Sequence, residues 1–193
     1  MKGTINQELD KLSQWFCANK LSLNINKSNF ILFGNRTQRC HDLNFKIVID
    51  GNALERVSNT KFLGIYIDEN LNWKYHTQQI SLKIARNIGV INRIKNLLSP
   101  ELLIILYYTI IQPYLLYCNI IWGGANKIAL KRLICLQKRA IRVITKSSYL
   151  ASSTPLFAKL RILKLEDVYK LQVLLFMYKA KNGMLPDCCS DLL

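Results

Sequence analysis

From Leu102 to Asn126 the chain carries no charged residue, and Leu102–Trp122 is apolar at most positions (LLIILYYTIIQPYLLYCNIIW). Such a run must be taken out of water, inside a protein core or inside a bilayer. At ~1.5 Å per residue it is long enough, as one helix, to cross hydrocarbon. Its polar content argues for the core. Gln112, Pro113 and Asn119 interrupt it, and Tyr107, Tyr108, Tyr114 and Tyr117 cluster through its middle, whereas membrane spans hold Tyr at the interfaces. The expectation is a buried helix, kinked or broken at Pro113. A membrane-associated helical protein is the least favoured alternative.

Burying that run requires other amphipathic elements. The 193 residues are 50% hydrophobic and 20% charged, which excludes a disordered or collagen-like chain and allows one sizeable domain or two small ones. Charge is plentiful but one-sided. There are 27 Lys and Arg against 12 Asp and Glu, a net +15, which suits a polyanionic partner. The excess is also localised. Between Asn70 and Leu165 stand fifteen bases and a single acid, Glu101, while residues 1–69 carry nine bases and seven acids. This composition boundary divides the chain into 1–69 and 70–193.

The six cysteines (Cys17, Cys40, Cys118, Cys135, Cys188 and Cys189) form no C-x-x-C pair, and the histidines are His41 and His76. Zinc spacing is absent. The N-terminus reads as an amphipathic helix rather than a signal peptide, so the expected location is intracellular, nuclear or cytoplasmic, and not secreted, with reduced thiols.

The hydrophobic periodicity predicts one helix over Thr4–Cys17, then short strands: Ser28–Phe33, a hairpin of Phe45–Ile49 and Leu54–Val57 turning at Asp50-Gly51-Asn52, and Lys61–Asp68. Gly34–Asp42 is a predicted loop. After Asn70 the pattern is helical. Lys74–Leu98 carries an Ile stripe, Ser99-Pro100-Glu101 is a helix start, and Gly123-Gly124 is a stop. Ile128–Lys146, a short helix from Ser153-Thr154-Pro155, and Leu165–Asn182 closed by Gly183 follow. The fold class expected is α+β: an N-terminal helix with a small antiparallel sheet, then a mostly helical bundle.

The Ile128–Lys146 segment is the clearest candidate site. At ~100° per residue, Lys127, Lys131, Arg132, Lys138, Arg139, Arg142 and Lys146 fall within an arc of roughly 140°. Leu130, Leu133, Gln137, Ala140, Ile141 and Ile144 lie opposite. Solvated helix faces normally mix Glu with Lys to gain i,i+4 pairs, and this one holds no acid. An all-basic face repels itself unless an anion covers it, so phosphate binding is the favoured reading over a solvated charge face. Lys83, Arg86 and Arg93 share a face of the Lys74–Leu98 segment and form a second, weaker candidate.

Two stretches carry a family resemblance. Leu12–Phe33 (LSQWFCANKLSLNINKSNFILF) resembles the segment that follows the catalytic Asp-Asp loop in non-LTR, jockey-type retrotransposon reverse transcriptases, through Leu12, Trp15, Asn19, Leu21, Leu23, Asn24, Lys27, Ser28 and Phe33. Ser28 departs from the more usual Thr. Val57–His76 (VSNTKFLGIYIDENLNWKYH) is similar to a second family segment through Lys61, Phe62, Leu63, Gly64, Ile65, Asp68, Leu71, Trp73 and His76. Looser matches lie at Leu106–Trp122, Leu136–Ile144 and Gly183–Leu193.

The resemblance implies that Lys27 belongs to the fourth palm motif and acts, in an intact polymerase, as a general acid toward departing pyrophosphate. It implies a primer-grip hairpin at Phe62, Leu63 and Gly64, and a thumb after Asn70 that holds an RNA–DNA hybrid or duplex by its backbone. Such polymerases bind paired Mg²⁺ through carboxylates that include an Asp-Asp pair. No Asp-Asp dipeptide occurs in this sequence, and Asp68-Glu69 and Glu166-Asp167 stand in other contexts. The chain is therefore expected to be a palm-end and thumb fragment, without a cofactor of its own and inactive alone. A stand-alone basic helical nucleic-acid-binding module is the alternative.

Overall fold

A computed structural model describes residues 2–34 and 46–186. Cys40, His41, Cys188, Cys189, the start of the expected Phe45–Ile49 strand, most of the expected Gly34–Asp42 loop and the end of the Gly183–Leu193 match lie outside the described residues. The chain is α+β and forms two compact units, Met1–Leu71 and Asn72–Leu193.

The first unit opens with helix α1 (Lys2–Ala18) and a 3₁₀ turn (Ile25–Lys27). Among the described residues six short strands follow: β1 (Asn29–Phe30), β2 (Val48–Ile49), β3 (Asn52–Ala53), β4 (Glu55–Arg56), β5 (Asn59–Phe62) and β6 (Ile65–Asp68). They make three two-stranded ladders rather than one antiparallel sheet. β2 and β3 pair antiparallel across Asp50-Gly51, both at positive φ, so the expected turn forms, but its second arm is Asn52–Ala53 rather than the expected Leu54–Val57. β1 instead pairs with β4 in parallel, Asn29 opposite Glu55. The long connection between them permits that return, since parallel pairing needs a crossover of about a dozen residues or more.

The expected continuous strand Lys61–Asp68 is not one strand. It folds back on itself as the β5–β6 hairpin, with Phe62 opposite Ile65 and the turn at Leu63-Gly64. Both turn residues are left-handed, φ 45° and 89°, which matches strand twist in a two-residue loop. Glycine adopts this freely, whereas leucine pays a steric cost, so nothing in the local pattern marks the turn ahead of Gly64. Ile49 and Ile65 are buried, and Ser13 Oγ hydrogen-bonds Asp50 Oδ1 to fasten α1 to the β2–β3 turn.

The second unit comprises α2 (Lys74–Ile94), α3 (Pro100–Ile110), α4 (Gln112–Leu116), α5 (Asn119–Trp122), α6 (Lys127–Ile144), α7 (Ser153–Leu160) and α8 (Leu165–Lys181). The apolar run is three helices, and among the described residues no helix is long and apolar enough to cross a membrane. Its two breaks have local causes. Pro113 has no N–H to donate to Thr109, and Tyr114 N bonds Ile111 O at 3.2 Å. The Ile110 carbonyl so released accepts from Asn87 Nδ2 of α2. At the second break Cys118 is left-handed (φ 49°), and Trp122 Nε1 donates to Tyr117 O at 2.9 Å.

Helix α6 is central: it packs along α2 and also meets α3, α7 and α8. Ile80, Ile84, Ile88 and Ile91 of α2 join Leu103 and Tyr107 of α3, and Leu133, Ala140, Ile141 and Ile144 of α6, in one core. Each fully buried large side chain contributes on the order of 1.5–3 kcal/mol. Inside this core Gln137 saturates its amide. Nε2 donates to Tyr107 Oη and to Leu163 O, both at 2.9 Å, and Oε1 accepts from Leu165 N at 2.9 Å. Burial pushes the Tyr107 phenol up to about 12.

Gly123 does more than end a helix. A Cβ there would lie 2.6 Å from Tyr169 Cδ2 and 2.5 Å from Asn119 O, so glycine is what lets α5 approach α8.

Candidate nucleic-acid interface

The sequence of α6 separates its faces cleanly, and the packing follows. Leu130, Leu133, Gln137, Ala140, Ile141 and Ile144 are buried. Lys127, Lys131, Arg132 and Arg139 are exposed, and Lys138 and Arg142 are half-buried. Asn126 caps the helix, its Oδ1 accepting from Ala129 N at 2.8 Å. The ion pairs Lys11–Glu8 and Lys170–Asp167 lie on other helices, and among the described residues no carboxylate is paired with a base of α6. The face is a set of uncompensated cations about five turns long. Ile128 (84% exposed) and Cys135 sit among these bases on the outer face.

Two of the expected phosphate ligands have structural roles that modify the picture. Arg142 Nε donates to Ala151 O at 2.8 Å, and its guanidinium lies 6.0 Å from the Tyr149 ring centroid. Arg142 therefore holds the loop after α6 as well as contributing charge. Lys146 lies beyond the helix, which stops at Ile144, and it takes a left-handed conformation (φ 51°). Its position is set by that turn and not by the helical arc.

On α2, Lys83, Arg86 and Arg93 are exposed. Lys83 Nζ stands 5.5 Å from the Tyr114 ring centroid, a cation–π contact toward α4. The opposite flank of α2 faces α6. There the first turns of both helices line a cleft of about 500 Å³ whose polar wall includes Lys74, Thr77, Gln78, Ser81, Asn126 and Arg132. The basic trio of α2 does not line it. Arg132 belongs to both cleft and outer face. Lys74 and Gln78 escaped the sequence reading because they fall off the Lys83 stripe. The absence of acids from Asn70 to Pro100 was the available signal.

His76, on the first turn of α2, is buried against Trp122, ring centroids 5.5 Å apart. Burial, reinforced by the positive charge of Lys83, lowers its pKa to about 4. It is a neutral packing residue at physiological pH.

In the first unit, Lys27 ends the 3₁₀ turn and is exposed. Phe62 and Leu63, 61% and 75% exposed, form an apolar hairpin tip beside Gly64. Lys61 Nζ stands over the Tyr66 ring at 5.9 Å on the same hairpin. Among the described residues, no three His, Cys, Asp or Glu side chains group to hold a metal ion.

The chain is similar to RNA-directed DNA polymerases of non-LTR elements, in agreement with its motifs. It is 26% identical over 187 residues, 95% of its length, to the RNA-directed DNA polymerase from mobile element jockey of Drosophila melanogaster. It is 23% identical over 166 residues, 84% of its length, to the jockey polymerase of Drosophila funebris. A probable RNA-directed DNA polymerase from transposon BS of Drosophila melanogaster is 30% identical over 125 residues, covering 63% of this chain and 14% of that protein. The chain spans about a fifth of the length of the two jockey polymerases, 20% and 18%. No protein-family model and no solved structure matches it.

Proposed function

We propose that this chain is the palm end and thumb of a non-LTR retrotransposon reverse transcriptase, and that α6 holds the primer–template duplex by its phosphates. The observation that carries the reading is the outer face of α6, exposed or half-buried at each base and free of acid along its length. Phosphate contacts suit a thumb because they fix position on a duplex without reading sequence. The similarity to the jockey polymerases supports the assignment. On this reading residues 1–69 are the end of the palm, 70–193 the thumb, and the Phe62-Leu63-Gly64 turn the primer-grip-like hairpin. Lys27 serves as a general acid only in an intact polymerase, whose Mg²⁺ is held outside the described residues. Leu12, Trp15, Leu21 and Phe33 of the family motif are exposed, as suits a surface covered in a larger protein.

The test is duplex binding by the purified chain as salt is varied. Wild type should bind RNA–DNA hybrid or DNA duplex with affinity that falls steeply with salt. The double variant Lys131→Glu/Arg139→Glu should lose that binding while keeping its thermal midpoint. Both residues are exposed and neither makes the tertiary contact that Arg142 makes. Binding that survives the double charge reversal would remove the proposal.

A further inference from the structure

We infer that the cleft between the first turns of α2 and α6 seats one backbone phosphate of the bound nucleic-acid strand, with Lys74 and Arg132 as its cationic walls; this rests on the reading of α6 as a nucleic-acid interface. The cleft measures about 500 Å³ and holds both cations with no carboxylate in its lining. Two like charges sharing one concavity repel, and an anion between them relieves this.

The donors available to an anion can be counted by elimination. Thr77 Oγ1 donates to Lys74 O at 3.0 Å and Ser81 Oγ to Thr77 O at 2.6 Å, so both hydroxyl protons are already committed. Asn126 is oriented the other way. Its Oδ1 is fixed by the cap on Ala129 N, which leaves the amide NH₂ as the group with protons to give. Gln78 lines the same wall. Asn72 also lines the cleft, its Oδ1 accepting from Lys74 N at 2.9 Å. Two cations with the amides of Gln78 and Asn126 match a group with several acceptor oxygens and a charge, as a phosphodiester has.

Location argues that the phosphate belongs to a strand. Arg132 is shared between cleft and outer face, so a backbone tracked by Lys127 and Lys131 passes the cleft mouth. Ile128 is 84% exposed and also lines the cleft, offering an apolar surface to the adjoining sugar. Lys74 is thus a phosphate ligand separate from the seven bases on or next to α6, and the cleft fixes one point of the strand where the outer face holds it loosely.

The experiment measures salt dependence of primer–template duplex binding by the full chain, for wild type, Lys74→Gln and Lys74→Arg. Lys74→Gln should weaken binding several-fold and make the slope of log K against log salt shallower by about one phosphate contact. Lys74→Arg should restore both. Lys74 is exposed, so thermal midpoints should coincide. Equal slopes for wild type and Lys74→Gln, with binding still abolished by Lys131→Glu/Arg139→Glu, would overturn the inference and leave the thumb reading standing. Absence of salt-dependent duplex binding by wild type would overturn both. Inorganic phosphate is the second probe, added at constant ionic strength. It should displace the Lys74-dependent part of binding, since both phosphates compete for one cleft; phosphate that left that part of binding untouched would overturn the inference.

Discussion

His76 shows how a motif residue can be structural. It stands at the end of the L-x-W-x-x-H pattern (Leu71, Trp73, His76), and it packs on Trp122 inside the second unit. Its folded pKa of about 4 lies below the ordinary value of 6.5. The unfolded chain therefore binds the extra proton first as pH falls. The stability contributed by neutral His76 is complete above about pH 6.5 and is lost progressively down to about pH 4, by up to about 3 kcal/mol. Urea unfolding from pH 7 to pH 4 should record that loss in wild type and a flatter profile in His76→Phe. Equal profiles would show that His76 is not the titrating group. Three other residues, Lys20, Lys146 and Arg161, close helices α1, α6 and α7 in left-handed conformations where glycine is the usual choice. A basic side chain there complements the helix C-terminus.

At the scale of elements, what is written locally was legible and what depends on distant partners was not. Ser99-Pro100 starts α3 as its capping chemistry dictates, Ser99 Oγ accepting from Leu102 N. Gly183 (φ 63°) closes α8, with Met184 N bonded to Lys179 O at 2.8 Å. The division of α6 into core and basic faces follows from its period. The parallel β1–β4 pair was not legible, because two-residue strands carry no period and their pairing is long-range. The cleft was not legible either, since α2 and α6 bring Lys74 and Arg132 together across 58 positions of sequence. The β5–β6 turn, at the hairpin position that the family resemblance implied, was hidden from the periodicity by Leu63, a residue that opposes the conformation it adopts. That opposition makes a prediction. Leu63→Asn should stabilise the hairpin by about 1 kcal/mol, read as a higher urea midpoint, and should weaken primer–template binding if the apolar tip touches the primer. A higher midpoint with unchanged binding would assign the tip no role in holding nucleic acid.

For the whole molecule, the net +15 resolves into a near-neutral first unit and a second unit whose bases concentrate on and beside α6. The chain is similar to the jockey polymerases over 95% and 84% of its length, which supports the proposal that this concentration of charge meets nucleic acid. Cys135 is exposed on the outer face of α6 and reports on it directly, with Cys17, exposed on α1, as an internal reference. The decisive measurement is the rate of alkylation of each thiol by N-ethylmaleimide, read by peptide mass spectrometry, with and without saturating primer–template duplex. If α6 holds the duplex, alkylation of Cys135 slows sharply on adding duplex and recovers at high salt or in Lys131→Glu/Arg139→Glu. If Cys135 reacts at one rate whether or not duplex is bound, the duplex lies elsewhere and α6 is not the interface.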